Sequence, residues 1–279
     1  MAESILLGHA PRPTDGAQLA KRIRTLVIAA EPAGIACTSI IDAELDGADI
    51  ARLHLDLTGF VLAGEVDRDR ARLEPQGASV RWEAAEVRDL RVHASPIHIS
   101  GVEVPLDVAL RDVQFVWIET DNGELAIEFV APSADRPLRG RARVSVPKEQ
   151  LGRAALGLAE SMLLDKGIAV SKLDVDVQAA GPRALRLTVD ARVRKGLLGA
   201  TVRGTASVSI DERMGVTLSD VCVDSANPLV GVMLGAFRGR IERLEGHCIE
   251  LASALPAGIR VADLHVSVTD AVTIEARLT

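Results

Sequence analysis

The residues best suited to chemistry are the histidines, which are His9, His54, His93, His98, His247 and His265. His93 and His98 lie five residues apart in an extended segment, and this odd spacing predicts side chains on opposite faces. Two histidines without a third ligand also leave a zinc site incomplete. The sequence therefore predicts no metal site.

The carboxylates of Asp174 and Asp176 share one face of a predicted strand. Two such carboxylates can act as acid and base, or bind Ca²⁺. Because they alternate with aliphatic residues, a solvated outer face is the simpler interpretation. The chain has no G-x-S-x-G elbow and no phosphate-binding P-loop. We therefore expect no catalytic residue, no cofactor and no enzymatic activity.

The composition indicates an aliphatic interior. Of the 279 residues, 48% are hydrophobic but only 2% are aromatic, and tyrosine is absent. Such an interior suits acyl chains, although an ordinary core with a biased composition is the simpler alternative. The net charge of −7 and the scarcity of aromatic rings argue against nucleic-acid binding.

Arginines cluster locally, for example from Arg136 to Arg143. Such clusters are typical of solvated faces. The functional alternative is contact with anionic head groups, as in peripheral membrane binding, or with an acidic protein partner.

The three cysteines, Cys37, Cys222 and Cys248, form no CxxC pair, which fits a reducing compartment. The N-terminal sequence has neither a basic region nor a long apolar stretch, so we expect no signal peptide. The sequence also contains no apolar stretch of the kind that predicts a membrane span. Together these features predict a cytoplasmic protein.

Three segments share the pattern G-I-x-V-x-x-L, and they begin at Gly34, Gly167 and Gly258, the first being the weakest match. The apolar alternation slips by one residue in the middle, which a β-bulge or bend would correct. Each segment precedes a turn and a second strand. A further match pairs residues 87–92 with 218–223. These repeats predict a duplicated chain with halves at 1–146 and 147–279 that form one continuous unit.

A helical stretch precedes each repeat. The first spans Gly16–Ala30, and Asp15 and Gln18 have the spacing of a capping box. The second is predicted from Pro147 to Asp165, and the third follows Asn227-Pro228, with Cys248 and Leu251 in its apolar stripe.

The predicted fold is α+β, with a strongly curved, mostly antiparallel sheet wrapped around two or three long helices. The helix residues expected to line an apolar groove are Leu19, Ile23, Leu26, Leu151, Ala155, Leu158, Met162, Leu234, Phe237, Ile241 and Leu244.

The run Leu255-Pro256-Ala257-Gly258-Ile259-Arg260-Val261 and the hairpin after it resemble the end of the LmeA-type phospholipid-binding family. The stretch from Gly59 to Val92 is similar to that family's strands with scattered glycines. The resemblance implies a tubular lipid-binding fold with phospholipid in an aliphatic groove. It also implies a cell-envelope location, whereas the export or anchoring segment usual in the family is not seen here.

Two functions are consistent with these observations. The first is non-enzymatic binding or transfer of a lipid or another aliphatic ligand. The alternative is a structural or assembly protein whose core is filled and which binds a protein partner. An acyl chain that co-purifies with the protein would distinguish the first from the second.

Overall fold

A computed structural model describes residues 4–30, 39–62, 74–99, 102–133, 135–153, 155–156, 169–195, 198–211, 214–225, 248–250 and 260–279. Of these residues, 70% lie in strands and 11% in helices. The predicted α+β fold with a sheet around long helices is therefore wrong. The protein is mostly β, and its strands form one large mixed sheet and one antiparallel sheet. Within the described ranges, no helix has the length and apolar character needed to cross a membrane.

The strands are, in chain order, β1 Ser4–His9, β2 Ile40–Asp46, β3 Asp49–Asp56, β4 Val61–Leu62, β5 Ser79–Ile99, β6 Val102–Thr120, β7 Glu124–Phe129, β8 Arg139–Pro147, β9 Ala169–Gly181, β10 Ala184–Lys195, β11 Leu198–Ile210, β12 Gly215–Ser225, β13 Cys248–Glu250, β14 Val261–Val268 and β15 Ala271–Leu278.

The larger sheet has ten strands in the order β14-β15-β8-β6-β5-β3-β2, with β7 beside β6, β1 beside β7 and β4 beside β5. The pairings of β3 and β4 with β5 are parallel. The second sheet has the order β13-β12-β11-β10-β9, and its pairings are antiparallel. The expectation of mainly antiparallel pairing is thus confirmed.

The chain divides into two compact units. Unit 1 contains residues 1–144, 256–263 and 275–279, and unit 2 contains residues 145–255 and 264–274. The second sheet belongs to unit 2.

The predicted first helix, α1 (Gly16–Ala30), is present. Half of its predicted capping box forms, since the Gln18 backbone N–H donates to Asp15 Oδ1 at 2.8 Å. The Gln18 side-chain amide donates to Asp15 Oδ2 at 2.7 Å, and Gln18 Oε1 accepts from the backbone N–H of Thr14 at 3.4 Å rather than from that of Asp15. A side chain at Gly16 would collide with the carbonyl of Ala43 in β2, so the helix begins in close contact with the sheet.

The second predicted helix is helical where the structure describes it, whereas the third departs from expectation at Cys248. The second helix covers residues 148–153 and 155–156, and the rest of its predicted span lies outside the described residues. The third falls mostly on residues 226–247, which also lie outside. Cys248, assigned to its stripe, instead pairs with Thr217 as part of β13. Cys248 is extended because it pairs with the neighbouring strand β12. Apolar residues spaced three and four apart predict a helix and do not reveal this pairing.

The repeated segments form hairpins. Each has its turn where predicted, between β2 and β3, β9 and β10, and β14 and β15. In β9, Lys172 pairs with Arg192 whereas Val170 pairs with Val193, so that Ser171 is an extra, bulged residue. Val170, 8% exposed, thereby returns to the face of Val177, 1% exposed. The predicted bulge is confirmed in this copy. The corresponding residues 34–38 and 258–259 lie outside the described residues.

Candidate ligand-binding surface

The two faces of the second sheet differ in their chemical character. Antiparallel pairing places Val175 opposite Val189, and Val189 opposite Gly204 in turn. The same register places Asp174 opposite Asp190, and Asp190 opposite Arg203. Since side chains alternate along a strand, one face is aliphatic and the other is polar.

The polar face is solvated and rich in ion pairs. Lys172 Nζ lies 2.5 Å from Asp174 Oδ2, and Arg203 donates to the two carboxylate oxygens of Asp190 at 2.8 and 3.1 Å. These hydrogen bonds from Arg203 are the largest cause that lowers the pKa of Asp190 from its ordinary value. The predicted solvated outer face of Asp174 and Asp176 is confirmed, because both side chains are exposed.

The aliphatic face is extensive and lacks aromatic side chains, since residues 169–225 contain no Phe, Trp or Tyr. Val170, Val177 and Ile210 are buried near its margins. Its more central members are only half-buried, and they include Val175, Leu187, Val189, Ala191, Val202, Ala206, Val208, Leu218, Val221 and Val223. An apolar face that remains partly accessible can contact a further apolar group.

Small residues form a trough along this face. On β11, Ala200, Gly204 and Ala206 lie opposite Val193, Val189 and Leu187 of β10. On the other side, Gly204 lies opposite Val223 of β12. A Cβ built at Gly204 would have its nearest neighbours at 3.9 Å, namely the Cys222 carbonyl oxygen and Val189 Cβ. The middle strand is therefore lower than its neighbours at these three positions, whereas Val202, between Ala200 and Gly204 on the same face, is larger than Ala191 opposite it.

The predicted groove residues are distributed differently. Leu19 is 1% exposed, and Ile23 and Leu26 pack with it against the unit 1 core, which includes Leu7, Ile41, Ile50, Leu53, Val87, Phe115, Trp117 and Leu125. Leu151 and Ala155 are half-buried in the second helix. The remaining six, Leu158, Met162, Leu234, Phe237, Ile241 and Leu244, lie outside the described residues. A ligand-binding role for these side chains stays a prediction.

Unit 1 contains a polar cleft of about 490 Å³, lined among others by Asp49, Glu86, Gln114 and Arg136. Arg136 donates to Gln114 Oε1 at 3.0 Å, and Gln114 Nε2 donates to Glu86 Oε2 at 3.1 Å. Arg88 donates to Asp49 at 2.8 Å and contacts Glu86 at 3.3 Å. Asp49, Glu86 and Arg136 are thus engaged by polar partners, which is typical of a structural network.

The histidine geometry differs from the prediction. A register shift in β5 between Ala94 and Ile97 places His93 opposite Asp107 and His98 opposite Glu103. Since these partners are four residues apart on β6, both histidines lie on one face of the sheet, whereas simple alternation predicted opposite faces. His93 Nδ1 is 2.6 Å from Asp107 Oδ1. Among the described residues, no group of three or more His, Cys, Asp or Glu side chains is arranged to hold a metal.

Sequence reasoning did not identify the trough, although its signal was present. The strands from 169 to 225 alternate aliphatic and polar residues, and the hairpin at 182–183 fixes which residues are opposite. The small residues at 200, 204 and 206 become meaningful only after the register is known.

Comparison with known proteins adds no relative. No family model matches the chain, and neither a curated protein nor a solved structure matches it. The resemblance to the LmeA-type family therefore stays a prediction.

Proposed function

We propose that this protein binds an aliphatic ligand, the acyl chain of a lipid, without catalysing a reaction, and that the chain lies in the trough along β11. The observation that carries this proposal is the half-buried aliphatic face around Gly204, backed by a solvated polar face. Such a ligand site requires neither long helices nor a tubular fold.

The size of the trough suits an alkyl chain. From Ala200 to Ala206 the strand extends about 20 Å at ~3.3 Å per residue, and Val202 is the one larger side chain of β11 on this face within that stretch. Burial of a methylene group contributes about 0.8 kcal/mol, so ~14 carbons contribute on the order of 10 kcal/mol before the costs of ordering. Aliphatic walls without aromatic rings contact the whole alkyl chain of the ligand and provide little directional selectivity. We therefore expect chain length to affect affinity more than head-group identity.

A fluorescent fatty-acid analogue with a saturated chain of about 14 carbons tests this function. Titration should give saturable uptake, and native mass spectrometry of the protein after incubation with palmitic acid should show one bound fatty acid per chain. Absence of uptake in both measurements would contradict lipid binding.

The alternative, a protein that assembles with a protein partner, is favoured by one observation. The apolar face of α1 packs against the protein's own core in unit 1. A protein whose core is filled in this way should take up no probe, so the same titration separates the two functions.

A further inference from the structure

The first half of β5 forms an open edge in the described part of the chain. Residues 79–87 pair with β6 on one side, whereas β3 begins to pair with β5 only at Val87 on the other. Just before that point, the Glu86 backbone N–H donates to Asp49 Oδ1 at 3.1 Å. An open edge presents backbone donors and acceptors to which another strand can add.

This edge carries exposed apolar side chains. Val80 is 60% exposed, and Trp82, two residues further along, is 64% exposed. Protein edges are commonly protected by lysine or proline, and residues 79–87 contain neither. Tryptophan is instead enriched at the centres of protein interfaces.

The charges beside Trp82 are self-complementary. Arg81 and Glu83 flank it, so a two-fold antiparallel pairing centred on Trp82 places Arg81 of each copy opposite Glu83 of the other. A register centred on Arg81 or on Glu83 would place like charges opposite each other, which is unfavourable. Arg81 is available for this contact: its side chain is 69% exposed, and its contact with Glu119 is long, at 3.8 Å. Glu83 contacts Arg12 at 2.7 Å but remains 43% exposed, which leaves room for a second cation.

We propose that two copies of this chain associate through antiparallel pairing of residues 79–85 of β5, centred on Trp82. The pairing extends the larger sheet across the dimer and covers Val80 and Trp82. It uses unit 1 only and is independent of the proposed ligand trough in unit 2.

Sedimentation velocity of the full chain over a range of concentrations tests this proposal. We expect a reversible dimer whose dissociation constant rises at least ~10-fold in Arg81→Glu, which places like charges opposite each other. Arg141→Glu, a change of another exposed arginine, is the matched control and should have no effect. An equimolar mixture of Arg81→Glu and Glu83→Lys should form a heterodimer. In that pairing the introduced glutamate faces the introduced lysine, and the unchanged Glu83 of one copy faces the unchanged Arg81 of the other.

A second measurement does not depend on the charge variants. Only two tryptophans are present, and Trp117 is 3% exposed, so a change in emission reports on Trp82. Emission should shift to shorter wavelength as the dimer forms, and Trp82→Lys should abolish dimerisation while far-ultraviolet circular dichroism stays unchanged. A wild-type chain that remains monomeric at ~100 μM, or a dimer unaffected by Arg81→Glu and Trp82→Lys, would overturn the proposal.

Discussion

Asp112 and Asp220 share a left-handed backbone conformation, with φ of 60° and 52°, at the same place in two Leu-x-Asp-Val sequences. The first lies in β6 and the second in β12, where the β11 pairing also shifts register between Thr205 and Ser207. By sequence, residues 218–223 match residues 87–92, which would make Asp89 the counterpart of Asp220. Asp89, however, pairs with Arg111 of β6 in the regular ladder. The structural counterpart of Asp220 is thus Asp112.

The conformation of Asp220 predicts a specific response to substitution. Aspartate tolerates this region better than β-branched residues do, and glycine adopts it freely. Asp220→Val should lower the free energy of unfolding by about 1–2 kcal/mol in urea denaturation, whereas Asp220→Gly should change it little. Equal stability of the two variants would show that the left-handed conformation is not required.

The packing of α1 predicts a contrast between its two faces. Leu19→Ala removes a buried side chain and should lower the free energy of unfolding by about 2–5 kcal/mol. Ile28→Ala is the control on the same helix, because Ile28 is 54% exposed, and its effect should stay within about 0.5 kcal/mol. Similar losses for both variants in urea denaturation would contradict the assigned helix face.

The pair of Asp190 and Arg203 predicts a pH dependence. Because Arg203 lowers the pKa of Asp190, chiefly through hydrogen bonds, the pair stabilises the fold above the unfolded-state pKa of about 3.9. This contribution is lost as the pH falls through the lower, folded-state pKa. Carboxyl ¹³C NMR titration should show that Arg203→Gln raises the pKa of Asp190 toward its ordinary value. An unchanged pKa would exclude Arg203 as the cause.

Local signals were predictable from the sequence, whereas the arrangement of the strands was not. The capping residues Asp15 and Gln18 and the bulge at Ser171 each follow from a few neighbouring residues. Hydrophobic spacing predicted a helix stripe at Cys248, but pairing with the distant β12 decides its conformation. The parallel pairing of β3 with β5 likewise depends on a long-range register that no local pattern encodes.

The candidate trough depended on the same long-range information. Gly204 does not stand out in the sequence, and its meaning comes from Val189 and Val223 on either side. Similarly, only the pairing of β3 and β6 with β5 reveals that Trp82 lies at an edge that is open among the described residues. Residue types could indicate an aliphatic protein, but they could not locate its accessible surface.

The most direct test of the account compares Gly204→Leu with Gly199→Leu for binding of the fluorescent fatty-acid analogue. Both glycines lie on β11, and a Cβ at either would have its nearest neighbour at 3.9 Å, but Gly199 pairs with Arg194 on the polar face. Neither has a positive φ, so both variants should fold, as circular dichroism can check. We predict that Gly204→Leu fills the trough and weakens binding at least ~10-fold, while Gly199→Leu binds as wild type does. Unchanged binding by Gly204→Leu would contradict the trough as the ligand site.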